Sequence, residues 1–102
     1  MYVYLFWNED TGHHKIGVSK KPERRLREEQ TASPGKLIIV SVFKSAFPFK
    51  LEKLIQARFR EDHARGEWFY IGIGAEQAFQ AHCEHLEQYV RLRYSDIMED
   101  EW

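Results

Sequence analysis

The chain has 102 residues, 43% of them hydrophobic, 15% aromatic and 30% charged, with one cysteine. This is the length of a single domain with enough apolar material for its own core, and no apolar run approaches the ~18–20 residues of a membrane-spanning helix. Net charge −1 hides two opposed halves: residues 1–65 carry thirteen Lys/Arg against eight Asp/Glu, and residues 66–102 carry two against eight, so a body suited to a polyanion precedes an acidic end.

Met1 to Trp7 lacks the basic start of a signal peptide, and a single cysteine suits a reducing compartment, so a cytoplasmic location is expected. Residues 2–7 are β-branched, aromatic and apolar and end at Asn8-Glu-Asp-Thr-Gly12, a strand followed by a turn. His14 to Ser19 alternates as a second strand, which the tight connection makes an antiparallel hairpin. Pro22 opens a helix over about 22–30, stopped by Thr31 to Gly35. Leu37 to Phe43 is almost continuously apolar and reads as a strand buried on both faces, hence central.

Phe47-Pro48-Phe49 opens a second helix with Leu51, Leu54, Ile55, the stem of Arg58 and Phe59 along one stripe, closed by Arg65-Gly66. Glu67 to Ile71 is a short extended piece before Gly72 and Gly74. A last helix is predicted over about 75–94, with Ala75, Ala78, Phe79, Cys83, Leu86 and Val90 on one side. Ser95 to Trp102 is acidic and reads as a frayed end. The order ββαβα plus a final helix defines one α+β domain: a core over 1–74, with residues 75–102 packed onto it.

The first helix is unusually polar. Leu26 is its one large apolar residue, among Glu23, Arg24, Arg25, Arg27, Glu28 and Glu29. A solvated face with pairs such as Glu23–Arg27 accounts for it; the sharper alternative turns one arginine toward a cleft to hold a phosphate. Glu52 borders the apolar stripe of the second helix, where it serves either the helix dipole or a metal ion. His63, His82 and His85 have the residue types of a metal site, but their spacing favours solvated histidines beside a core cysteine, Cys83. Trp68, Phe69 and Tyr70 suit core packing or base stacking. Glu67 either caps the site or pairs with Arg65.

The order Tyr2-Val-Tyr4, Lys15-Ile-Gly17, Pro22-Glu-Arg-Arg-Leu26, Gln30-Thr31, Leu51-Glu52 and Gly66-Glu-Trp-Phe69 resembles the GIY-YIG nuclease superfamily. It is most similar to the small phage and bacterial branch whose second half-motif reads Lys-Ile-Gly. The resemblance spans roughly residues 2–70. It implies a three-stranded antiparallel sheet flanked by helices that cuts DNA with one divalent cation, Mg²⁺ or Mn²⁺. It places the site tyrosine on Tyr4, the phosphate-contacting arginine on Arg25 with Arg24 as the register alternative, the metal-binding glutamate on Glu52, and the motif glycine on Gly17. Lys20 and Lys21, just before the first helix, join Gly17 and Arg24 as expected substrate contacts.

The chemistry fits that division of labour. Arg25 offers a planar fork to non-bridging oxygens, and Tyr4 orients or deprotonates water if nearby positive charge pulls its phenol down. A cation on Glu52 stabilises the leaving oxygen. Lys15 stands where the wider superfamily has tyrosine, and acts as a phosphate contact, a base or an edge-strand charge. Gln56 stands where this branch often has histidine, leaving His13 or His14 to move a proton if one is needed. Tyr2 replaces a glycine, and a downstream asparagine has no counterpart.

Two other readings stand beside the endonuclease. One is a nucleic-acid- or partner-binding domain that keeps the fold without the chemistry. The other is a structural role in which the acidic last helix pairs two chains through Tyr89, Leu92 and Tyr94.

Overall fold

A computed structural model describes residues 1–94, with the Tyr94 side chain excepted. It shows an α+β fold of five strands and four helices: β1 (Tyr2–Asn8), β2 (His14–Ser19), α1 (Pro22–Ala32), β3 (Leu37–Lys44), α2 (Pro48–Arg58), β4 (His63–Arg65), β5 (Trp68–Phe69), α3 (Ile73–Gln77) and α4 (Phe79–Tyr94), with a 3₁₀ turn over Arg60–Asp62. The sheet order is β3-β1-β2-β5-β4 and every pairing is antiparallel. The helix-flanked sheet is as expected, but it has five strands where three were predicted.

The two extra strands come from the segment after α2. That helix ends at Arg58 rather than Arg65. His63–Arg65 and Trp68–Phe69 then fold back on each other through Gly66 at φ 58°, a left-handed conformation that glycine adopts without a Cβ penalty. The β3 prediction also needs correction. β3 lies at the edge of the sheet beside β1, and only Leu37 at its start is deeply buried. α1 and α4 both pack against it, but most of the strand is only partly buried and Val42 is exposed, so the apolar run did not imply burial on both faces.

Alternation sorts the sheet into two faces. Val3, Leu5, Ile16 and Phe69 join Leu51, Ile55 and Phe59 of the α2 region with Phe79 and Cys83 of α4 in one core. Tyr4, Phe6, Lys15 and Gly17 face the other way, toward α1. The last helix is two, broken at Ala78, but Phe79, Cys83 and Val90 are buried as the stripe predicts. Burial pushes the Cys83 thiol up to about 12, with Glu87 adding to the shift, so it behaves as a core residue. The expected frayed end, 95–102, lies outside the described residues.

Polar α1 is tied down by side-chain bonds. Gln30 Nε2 donates to Gly35 O at 2.8 Å, while its Oε1 accepts from Leu37 N at 2.8 Å. Its own ion pairs are Arg24–Glu28 at 3.4 Å and Arg25–Glu28 at 3.5 Å, in place of the Glu23–Arg27 pair expected. The start of α2 is likewise finished from outside. Buried Glu87 on α4 accepts from Ser45 Oγ at 2.7 Å and Ala46 N at 2.8 Å, while Ser45 Oγ accepts from Phe47 N at 2.9 Å. Glu87→Ala leaves those donors without their acceptor and is expected to cost about 2–3 kcal/mol, read as a lower urea midpoint with an unchanged slope.

Candidate active site

β1 and β2 pair so that Tyr4 lies directly opposite Gly17. The Tyr4 ring stacks on Phe6 with centroids 3.9 Å apart and leans across the glycine, where a Cβ would collide with the phenol Oη and Cζ. Gly17 is therefore required by the tyrosine beside it. The Tyr4 side chain is fully buried, and its hydroxyl has no hydrogen-bond partner among the described residues. Burial, then the charge of Glu67, hold the phenol well above its ordinary value. Arg25 opposes that shift by its charge and as a nearby donor, without completing a well-formed bond. Of the two arginines, half-buried Arg25 addresses Tyr4, whereas Arg24 is exposed and paired with Glu28.

Lys15 is no edge-strand charge. It is 7% exposed, with Nζ at 2.5 Å from Glu29 Oε1 and 3.6 Å from Glu67 Oε1. Neither partner was anticipated: Glu67 pairs with Lys15 instead of Arg65, because the Gly66 turn and a bond from Ile16 N to Glu67 O at 3.2 Å hold it against β2. The only sequence signal for Glu67 was its place after that glycine.

Gln56 Nε2 donates to Ile16 O at 3.0 Å and clamps α2 to β2. Its amide is thereby committed to the backbone, a structural role for the residue that replaces histidine. Glu52, one turn earlier on the same side of α2, is half-buried. Its carboxyl is raised by burial first and then by Glu67, with Lys53 and Lys15 opposing. Glu67 pairs with Lys15 and its charge acts on both Tyr4 and Glu52, while Arg25 acts on Tyr4.

The raised Glu52 carboxyl makes a stability prediction. A folded-state pKa above the unfolded value means the native protein holds more protons in that window, so stability falls as pH rises through the carboxylate range. In metal-free buffer Glu52→Gln is expected to melt a few degrees above the parent at neutral pH, with the gap closing below the ordinary Glu range; thermal unfolding at two pH values measures it.

The histidines are elsewhere. His14 is on the opposite sheet face, where its Nε2 bonds Glu76 at 2.5 Å. His13 stacks on Tyr70 with centroids 4.0 Å apart. His63 Nε2 bonds Gly66 O at 2.7 Å and His82 Nδ1 accepts from Arg58 Nη1 at 3.1 Å. Burial and then Arg58 lower the His82 pKa. Among the described residues no three His, Cys, Asp or Glu side chains gather as a metal cage. Beside Arg25 opens a cleft of about 410 Å³, lined by Lys20, Lys21, Arg24 and Arg25 together with Val18, Ser19 and the acidic Glu28, so four of the basic residues share its lining.

A family profile, the T5orf172 domain, matches residues 1–81. The chain belongs to the T5orf172 domain family. That family is associated with nuclease-like and DNA-binding function. Its matched span in this chain contains Tyr4, Lys15, Gly17, Arg25, Glu52 and Glu67, and no described T5orf172 helix is long and apolar enough to cross a membrane. Comparison with curated proteins and with solved structures found no match.

Proposed function

We propose that this T5orf172 domain is a divalent-metal-dependent DNA endonuclease of the GIY-YIG type. The observation that carries the proposal is the Tyr4 hydroxyl: fully buried, without a hydrogen-bond partner among the described residues, held over a glycine and approached by Arg25. An unsatisfied buried hydroxyl costs stability, and a phosphate oxygen or an attacking water is the partner that completes it.

Hydrolysis joins a water oxygen to phosphorus while the bond to the leaving sugar oxygen breaks. Negative charge grows on the phosphoryl oxygens, and a proton must reach the leaving oxygen. Arg25 presents its fork to the non-bridging oxygens, with Lys15 adding a buried positive charge. Tyr4, whose phenol is held up by burial and by Glu67, keeps its proton and orients water or phosphate instead of acting as the base. Lys20, Lys21 and Arg24 hold the flanking backbone.

The donor set suits a hard cation. Glu52 and Glu67 are carboxylates whose charges oppose each other, and Mg²⁺ commonly binds through one or two carboxylates with water and substrate oxygens completing its shell. Glu52 would hold Mg²⁺ or Mn²⁺ with Glu67 beside it. The bound cation supplies charge neutralisation at the leaving oxygen.

Nicking of supercoiled plasmid tests this. Open-circular product is expected with Mg²⁺ or Mn²⁺, none with excess chelator, and at least a 10²-fold slower rate for Glu52→Ala. Cleavage untouched by Glu52→Ala would reject the assignment. DNA binding without cleavage in either metal would favour the binding-module reading.

A further inference from the structure

A second cleft, of about 360 Å³, lies between the C-terminal end of α1 and the β2–β5 end of the sheet. Trp68 and His13 line it from the sheet side, Ala32 and Pro34 from the helix side, and Glu29 and Arg65 also border it. The polar group at its floor is already occupied: Asn8 Oδ1 accepts from Asp10 N at 3.0 Å and Thr11 N at 3.2 Å, and its Nδ2 donates to Ser33 Oγ. What is left for a ligand is an aromatic wall, with Arg65 at the margin and Glu29 already bonded to Lys15.

The cleft borders the candidate active site through Glu29, the ion-pair partner of Lys15. Lys15 is the cross-strand partner of Trp68, and its Nζ is 5.9 Å from the indole centroid while bonded to Glu29. A flat group against Trp68 therefore sits one residue away from Lys15, which faces the same side of the sheet as Tyr4 and Gly17. His13 meets the indole edge-on, with centroids 6.3 Å apart, and is itself backed by Tyr70, so the wall is braced.

We propose that this cleft receives one nucleobase, turned out of its stack, from the nucleotide adjacent to the scissile phosphate. This rests on the nuclease reading and adds the substrate class: DNA carrying an unpaired or easily everted nucleotide at the cut. A π-face stacks on indole whatever the base identity, and Arg65 suits the neighbouring phosphate. A paired base has its partner on one edge and cannot enter between helix and sheet. Eversion costs least where pairing is already lost.

The test uses the full chain in chelator, so that binding is read apart from cleavage. Two DNAs carry 2-aminopurine, in one as an unpaired nucleotide and in the other within continuous duplex; free 2-aminopurine nucleotide is a third probe. The expected result is an emission change and about tenfold tighter binding for the unpaired probe over duplex, a preference lost in Trp68→Leu and kept in Trp68→Phe. Using the ratio cancels any general loss of fold. Equal binding of both DNAs by the parent, or an unchanged ratio in Trp68→Leu, overturns the proposal. So does a response to free nucleotide alone, which would make the cleft a mononucleotide site. A separate Mg²⁺ nicking assay reports on the nuclease reading: no nicking with the preference intact removes that reading and leaves the base cleft standing.

Discussion

Arg25→Ala is expected to slow plasmid nicking by about 10²–10³-fold, the cost of removing one preorganised donor aimed at developing phosphoryl charge. α1 holds Arg25 half-buried at the edge of the Tyr4 environment, with Glu28 Oε1 at 3.5 Å as its ion-pair partner. The neighbouring Arg24 is exposed and engaged at 3.4 Å with the same glutamate. Arg24→Ala should therefore weaken DNA binding with salt dependence but retain most of the single-turnover rate. Arg25→Lys is expected to recover little, because an ammonium lacks the two-pronged geometry. Equal single-turnover losses for Arg24→Ala and Arg25→Ala would mean that the α1 arginines act only as a diffuse charge.

The second large effect concerns the contact between Tyr4 and Gly17. A methyl group at position 17 meets the phenol Oη and Cζ, both part of a ring already stacked on Phe6. Since the ring is fully buried, Gly17→Ala should cost about 1–3 kcal/mol through overpacking and slow cleavage by about 10²-fold through displacement of the hydroxyl. Tyr4→Phe separates the two effects. It removes a hydroxyl that is buried without a partner among the described residues, so stability should hold or rise while cleavage falls. Urea unfolding beside single-turnover nicking measures both. Destabilisation by Tyr4→Phe would show that the hydroxyl has a structural bond in solution.

The order of half-motifs exposed the neighbourhood of Tyr4, Gly17, Arg25 and Glu52 to a reader of the sequence, because local signals mark the elements that carry them: a hairpin turn after Asn8, a proline at the first position of α1, an apolar stripe beside Glu52. Glu67 and Glu29 were not legible as partners of Lys15. Their meeting depends on a strand pair closed by Gly66 and on the distance between α1 and β2, neither of which leaves a periodic trace. β3 misled for a related reason, since an apolar run does not fix a strand's place in the sheet: β3 is an edge strand, mostly half-buried, with Val42 exposed. The last helix looked continuous because Ala78 is a good helix former, although α3 ends there, with the Ala78 N–H turned back to the Glu76 and Gly74 carbonyls. Gln56 read as a missing catalytic group, whereas the structure commits it to the Ile16 carbonyl at 3.0 Å. Tyr89 and Leu92, the residues proposed for pairing two chains, are exposed on α4.

In the proposed enzyme, residues from β1, β2, α1, α2 and the turn before β5 serve one cation-dependent centre. A Mn²⁺ titration of ¹⁵N-labelled protein addresses it directly, since bound Mn²⁺ broadens nearby amides whether or not any DNA is cut. Signals of Lys15 to Val18, Glu52 and Glu67 are expected to broaden first at substoichiometric Mn²⁺, and Glu52→Gln to lose this pattern. Broadening centred on α4, or a pattern unchanged by Glu52→Gln, would place the cation elsewhere.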